Sequence, residues 1–232
     1  FGIARDVMFG YGYYKTGAVE PSEFQKKTYE CFNKNNVNMI QIISGMFWSK
    51  SGWYMSGTPI YEGVHLMPIA YVDSSGNRDE SELIDFKNKV KSFTKFNARS
   101  HTYELFNEWN LGTWKKKYDL YERQGDKDVL VKKDYEYTID QYMDAVKMAS
   151  EGIREADPQS RILGICAAKD NMEEFIDECL KRGIGQYIDA VSIHPYSVNV
   201  SPEIGHRDDG ETISVPLREK IKNIRALLDK YN

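Results

Sequence analysis

The stretch Tyr103-Glu104-Leu105-Phe106-Asn107-Glu108-Trp109-Asn110 ends an apolar run with an amide, a carboxylate and an indole in succession. A carboxyl group at such a strand end can be desolvated by Trp109 and its neighbours. Desolvation raises its pKa and suits it to act as a general acid. The amide beside it, Asn107, can hydrogen-bond a sugar hydroxyl. A strand-end Asn-Glu can also make capping bonds in the next loop, and for the bare dipeptide that reading prevails. Adjacent strand residues point to opposite faces, so regular pleating cannot aim Asn107 and Glu108 at one pocket. A bulge or the end of the strand must intervene there. A second cluster, His194-Pro195-Tyr196, closes another apolar run. Pro195 has no N–H for a ladder bond, so that strand stops and leaves His194 at its rim.

Other chemistries find less support. The four histidines, at 65, 101, 194 and 206, show no H-E-x-x-H or similar ligand spacing. Asp73-Ser74-Ser75-Gly76-Asn77 has its glycine one place early for a calcium loop and reads as a polar turn. There is no G-x-S-x-G elbow, and Gly10-Tyr11-Gly12-Tyr13-Tyr14-Lys15 fails the G-x-G-x-x-G spacing of a dinucleotide turn. Cys31, Cys166 and Cys179 lack metal-ligand spacing and fall on apolar stripes or in an apolar strand, which makes them core thiols. No cofactor or metal is expected.

The elements that must position these groups alternate. Strands are expected at residues 1–7, 38–44, 65–72, 101–106, 161–168 and 190–194, most of them nearly continuous apolar runs suited to a parallel sheet covered on both faces. Between them lie amphipathic helices. One begins near Pro21 and aligns Phe24, Thr28, Cys31 and Phe32; another aligns Leu83, Phe86, Val90 and Phe93. Thr138 with Gln141 forms a capping box before the stripe Tyr142, Val146, Ala149 and Ile153, which Asp157-Pro158 ends. Asn171 with Glu174 repeats the capping pattern before Phe175, Ile176, Cys179 and Leu180. The last helix stacks Leu217, Ile221, Ile224 and Leu228. Strand then helix, repeated, means α/β with parallel strands, and a barrel is favoured over a doubly wound sheet. Two long connections would rise from the C-terminal face of such a barrel. Residues 47–64 carry Trp48, Trp53, Tyr54 and Tyr61, as a ligand-stacking wall or as local packing. Residues 110–137 carry Trp114 and a charged run from Lys115 to Lys133, expected to be a solvated insertion.

Composition sets the outer bounds. The 232 residues are 41% hydrophobic and 28% charged, with 31 basic against 35 acidic side chains, hence a net charge of −4. That is a globular balance with no electrostatic footprint for nucleic acid. No apolar run reaches the roughly 18 residues of a membrane span, so neither nucleic acid nor membrane is an expected partner. Aromatic residues reach 13%, which suits flat hydroxylated ligands but also fills ordinary cores. The opening FGIARDVMFG lacks an initiator Met and any signal-peptide pattern, so the chain is expected to be a processed or excised piece.

The Tyr103–Asn110 stretch resembles the fourth-strand motif of the clan A glycoside hydrolases, (β/α)8 barrels that cleave glycosides with retention. Residues 140–157 look like the helix that follows in that clan, and 161–168 like its fifth strand. Asp189-Ala190-Val191-Ser192-Ile193-His194-Pro195-Tyr196 resembles its sixth-strand segment. The combination is most similar to family 39 and its relatives, strongly over residues 103–197 and loosely before. The resemblance implies a single TIM-type barrel domain over residues 1–232, partial, with about six βα units. It implies Glu108 as acid/base, Asn107 on the substrate 2-hydroxyl, and His194 and Tyr196 lining a carbohydrate site, to which Trp48, Trp53 and Trp109 are added as candidate substrate-binding aromatics from their positions in the chain. It also favours a secreted or cell-surface location.

The departures from the pattern carry their own expectations. Clan members usually place an Arg late in the second strand, where Gln41 stands here. The nucleophilic carboxylate belongs on a seventh strand, and the chain ends before one. Retention needs two carboxyl groups about 5–5.5 Å apart. Glu104 lies about 13 Å from Glu108 along an extended strand, and Asp189 lies at the opposite strand end. Asp170 and Glu203 are on the correct face with nothing to recommend either. The nucleophile is therefore expected beyond the C-terminus, in a missing segment or a second chain that closes the barrel. Two rival readings keep the barrel without the reaction. A carbohydrate-binding pseudoenzyme would show sugar affinity without turnover, and an interaction module would bind no glycan at its aromatic loop.

Overall fold

A computed structural model describes residues 2–6, 23–43, 53–55, 79–97, 100–112, 114–115, 117–124, 127–169, 171–196, 201–203 and 215–231. In chain order the elements are β1 (Gly2–Asp6), α1 (Glu23–Lys34), β2 (Val37–Ile43), β3 (Trp53–Met55), α2 (Glu80–Asn97), β4 (Thr102–Leu105) and the one-turn α3 (Trp109–Gly112). Then follow β5 (Lys117–Gln124), β6 (Lys127–Glu136), α4 (Ile139–Ala156), β7 (Arg161–Ala168), α5 (Met172–Lys181), β8 (Ala190–His194) and α6 (Leu217–Tyr231). Five strands form one parallel sheet in the order β1-β2-β4-β7-β8. The strand expected at residues 65–72 lies outside the described residues. In this sheet β2 is hydrogen-bonded directly to β4, Gln41 opposite Tyr103 and Ile43 opposite Leu105.

The apolar stripes explain why the helices lie where they do. Leu83, Phe86, Val90 and Phe93 of α2 are buried, as are Tyr142, Val146, Ala149 and Ile153 of α4 and Phe175, Ile176, Cys179 and Leu180 of α5. They close over Met39, Ile43, Tyr103, Leu105 and Ile162 from the sheet to make one core. The capping box forms as predicted: Gln141 N donates to Thr138 Oγ1 and Thr138 N donates to Gln141 Oε1 at 2.9 Å. Asn171 precedes α5 but makes no side-chain cap, because its amide is taken up elsewhere.

Three expectations are corrected. The α1 stripe is a core face only at Phe32, which packs against the core, since Phe24 is 74% exposed and Cys31 is exposed, while Cys166 and Cys179 are buried. In α6 only Ile224 of the apolar stripe is buried, and Ile221 is exposed. The charged stretch after Trp114 is largely exposed among the described residues, as a solvated insertion should be, but it is ordered as an antiparallel hairpin, β5 with β6, joined on its other side by β3. Its signal is local: Gln124 pairs with Lys127, so only Gly125-Asp126 separates the strands, a two-residue hairpin spacing.

Helices α2 and α4 approach closely at Gly152, where an added Cβ would sit 2.7 Å from the Lys87 backbone oxygen. Beside this contact Lys87 Nζ bridges Glu151 at 2.9 Å and Glu155 at 2.6 Å, and Lys91 Nζ reaches Glu155 at 2.6 Å. Hydrogen bonds from Lys87, then Lys91, hold the Glu155 carboxyl down at about 2 against an ordinary 4.5. Replacing Gly152 by Ala gains about 1 kcal/mol of helix propensity but forces two backbones apart, at a cost of about 1–3 kcal/mol. Gly152→Ala is therefore expected to lower stability in urea denaturation. Because the Glu155 carboxyl is depressed on folding, its contribution is present above pH about 4.5 and disappears as the pH falls toward about 2. Glu155→Gln is expected to lower the urea midpoint at neutral pH, with the two proteins converging in acid.

Candidate active site at the ends of β4, β7 and β8

Strand β4 stops at Leu105, and the next residues leave the pleat. Phe106 and Glu108 adopt left-handed backbone angles, φ 66° and 47°. Each such residue costs about 1–3 kcal/mol and persists only where its surroundings enforce it. Here the surroundings are visible. Phe106 N donates to the Ile43 oxygen of β2 at 2.8 Å, and Glu108 N donates to the Cys166 oxygen of β7 at 3.0 Å. The backbone thus crosses from one neighbouring strand to the other within two residues. The Phe106 ring turns into the helix layer, with Phe86 6.3 Å and Tyr142 5.8 Å away between centroids. The interruption that the pleating argument required is therefore present.

Strand β7 is irregular at the same level. Its pairing with β8 slips between Gly164 and Ala167, and Ile165 and Cys166 have φ 72° and 45°. Gly164 has no room for a side chain, because a Cβ would meet Ile188 Cγ2 at 2.5 Å. A second lock holds the segment after β4 in place. The buried Asn110 amide donates to the Ala168 oxygen at 2.6 Å and accepts from Ala168 N at 3.1 Å. Asn110 Nδ2 also donates to Asn171 Oδ1 at 2.5 Å, and Asn171 returns a bond to the Asn110 backbone oxygen at 3.2 Å.

With the backbone so fixed, side chains from β4 and β8 meet across β7. His194 Nδ1 lies 2.9 Å from Glu108 Oε1, and the Tyr196 hydroxyl donates to the same oxygen. On the far side of the ring, His194 Nε2 lies 3.5 Å from Glu104 Oε1. Ser192 Oγ donates to that same Glu104 oxygen at 2.5 Å. The side chains of Glu104, His194 and Glu108 are 4%, 13% and 17% exposed, so the row runs from the interior outward. Tyr196, at the mouth, is half exposed. No group of three or more His, Cys, Asp or Glu with metal-binding geometry occurs among the described residues.

Among solved structures, the fold is similar to a family 39 glycoside hydrolase from the gut symbiont Bacteroides cellulosilyticus. The TM-score is 0.58 at 16% identity, over 93% of this chain and 37% of that one. The fold is that of part of a (β/α)8 barrel. Two further structures superpose more loosely. A family 44 xyloglucanase from Paenibacillus polymyxa gives 0.46 at 11% identity, over 91% of this chain and 51% of that one. A bacterial orthologue of human α-L-iduronidase gives 0.44 at 13% identity, over 99% and 37%. No protein-family model matches the sequence, and no curated protein does. The chain spans 37% of the length of the family 39 enzyme.

Within that barrel the sequence-derived residues divide. Glu108, His194 and Tyr196 are brought together at the C-terminal ends of the strands, and Asn107 lies next to them in the chain, partly buried. Trp109 is a correction: it is 1% exposed, packed against Tyr137, Tyr142 and Phe175, and belongs to the core behind the site rather than to its wall. Trp48 lies outside the described residues. Trp53 opens β3, opposite Glu122 of β5. Gln41 turns away from the site, its amide donating to the Tyr29 hydroxyl of α1 at 2.9 Å. Asp189 sits at the start of β8, bonded to Ile162 N and Arg154, at the opposite strand end as expected.

Glu104, Ser192, Asn110 and Asn171 carry more of the site than their sequence positions suggested. The only available signal was that Glu104 and Glu108 share strand parity. The bridging imidazole comes from a strand some 90 residues later, and spacing does not reveal it. Truncating Asn110 strands the Ala168 N–H and oxygen in a buried setting, at about 1–3 kcal/mol for each unpaired group. Asn110→Ala is expected to lose about 2–6 kcal/mol in urea unfolding, with amide exchange at Ala168 accelerating first.

Proposed function

We propose that this chain carries the acid/base half of a retaining glycoside hydrolase site, acting on O-glycosidic bonds of a poly- or oligosaccharide. The observation that supports it best is the asymmetry of the Glu108 carboxyl group. Oε1 is held by His194 and Tyr196, whereas Oε2 takes no hydrogen bond among the described residues. One oxygen is therefore anchored and the other is left to exchange a proton with substrate.

In this reading Oε2 carries the acid proton to the glycosidic oxygen as the bond to the anomeric carbon breaks. A second carboxylate, about 5–5.5 Å away, captures the oxocarbenium-like centre as a glycosyl ester. Glu108, now ionised, then takes a proton from the water that hydrolyses the ester. That second carboxylate is not Glu104, which stands behind His194, and it is supplied from outside the described residues. Asn107 binds the 2-hydroxyl, a bond that tightens as positive charge builds beside it.

The natural polypeptide with Glu108→Gln is expected to hydrolyse unactivated oligosaccharides about 10²–10⁴ times more slowly. Aryl glycosides whose leaving group needs no proton should still form the glycosyl ester, which then accumulates and is released by added azide. An unchanged rate would place the acid elsewhere. Equal sugar affinity in both proteins without turnover in either would leave a binding protein. Asn107→Ala is expected to slow hydrolysis of substrates bearing a 2-hydroxyl while sparing their 2-deoxy analogues, measured as the ratio of kcat/KM values.

A further inference from the structure

Glu104 is a buried carboxylate that the proposed reaction does not use, and a buried charge needs a partner. Two of its partners lie on β8: Ser192 Oγ at 2.5 Å and His194 Nε2 at 3.5 Å, both on Oε1. The other nitrogen of the same ring faces Glu108 Oε1 at 2.9 Å, and that oxygen also accepts from the Tyr196 hydroxyl. One imidazole therefore stands between two carboxylates, each of which already accepts a hydroxyl.

A neutral imidazole has one N–H and one lone pair. Between two ionised carboxylates, its lone pair would face an oxygen lone pair on one side. The conflict is removed in two ways: the ring takes a second proton, or one carboxyl group becomes a neutral acid and donates to the ring. Both arrangements hold the same number of protons. The hydroxyl donors decide between them, because a hydrogen bond given to a carboxylate favours its charged form. Ser192 does this for Glu104, while the Tyr196 hydroxyl occupies Glu108 Oε1 as a donor, so that oxygen cannot itself donate to the ring.

We infer that Glu104 is a positioning residue that holds His194 as an imidazolium, with its Nδ1–H fixed on Glu108 Oε1. The consequence for the site, which rests on the glycosidase reading, is that Oε1 is unavailable for proton transfer and Oε2 is the working oxygen. The described titratable groups facing this row are few. The segment after β4 gives Glu108, β4 gives Glu104, the segment after β8 gives Tyr196, and the Tyr142 phenol of α4 lies within electrostatic reach of Glu104. Burial drives the Tyr142 phenol well above its ordinary value, so it adds no charge.

The test is nitrogen NMR of the chain labelled at histidine, which has four such residues, with Glu104→Gln compared and His194→Gln used for assignment. At neutral pH the wild-type His194 ring is expected to show two protonated nitrogens. Glu104→Gln keeps the size and removes the charge, and it should lose the Nε2 proton while keeping the one on Nδ1. A neutral ring in the wild type overturns the proposal without reference to any variant, and so does an imidazolium that survives Glu104→Gln. Neither readout depends on turnover. If Glu108→Gln of the natural polypeptide leaves hydrolysis unchanged while the ring titrates as expected, the glycosidase reading fails and the positioning role stands.

Discussion

A β-strand can present a side chain to a pocket only at every second residue, and the site depends on how β4 escapes that rule. Glu104, Phe106 and Glu108 share one parity, yet a phenyl ring between two carboxylates would separate them from their common partner. The left-handed turn at Phe106 sends that ring into the helix layer, between Phe86 and Tyr142, and a second left-handed residue returns Glu108 to the pocket. Two backbone bonds, to Ile43 and Cys166, hold the crossing. The cost, about 1–3 kcal/mol for each such residue, is offset by full burial of an aromatic side chain and by the polar contacts that Glu108 then makes.

Much of this was legible in the chain. Strands β7 and β8 have the boundaries that their apolar runs suggest, and α2, α4 and α5 bury the stripes that their periodicity marks. Patterns failed where local chemistry has two outcomes. The stripe on α1 is apolar enough to suggest a core face, but Phe24 remains exposed. The run from Lys115 to Lys133 hid its alternation beneath charges on both faces, so only the Gly125-Asp126 spacing marked the hairpin. Trp109 follows a carboxylate in sequence and looked like a wall residue. It starts a helical turn instead, and the turn carries it back into the core.

The polar part of the site was less legible, because it is made of contacts between distant segments. Asn110 and Asn171 are 61 residues apart and share two hydrogen bonds. Ser192 and Glu104 are 88 apart. A capping pattern at Asn171 and a strand distance from Glu104 to Glu108 are both correct local readings. Tertiary structure overrides the first with a stronger partner, and it makes the second irrelevant by placing an imidazole between the carboxylates. The pairing of an anchored oxygen with an open one on Glu108 follows from those long-range contacts, and it is what gives the carboxyl group a direction.

The most direct measurement is a crystal structure of the natural polypeptide carrying Glu108→Gln with an oligosaccharide bound. The expected result puts the glycosidic oxygen within hydrogen-bond reach of the side-chain position that Oε2 occupies. The 2-hydroxyl of the sugar on the non-reducing side should then sit at Asn107, with His194 and Tyr196 still on the Oε1 position. A sugar bound elsewhere, with residue 108 buried away from it, would contradict the assignment of Glu108 as the acid/base.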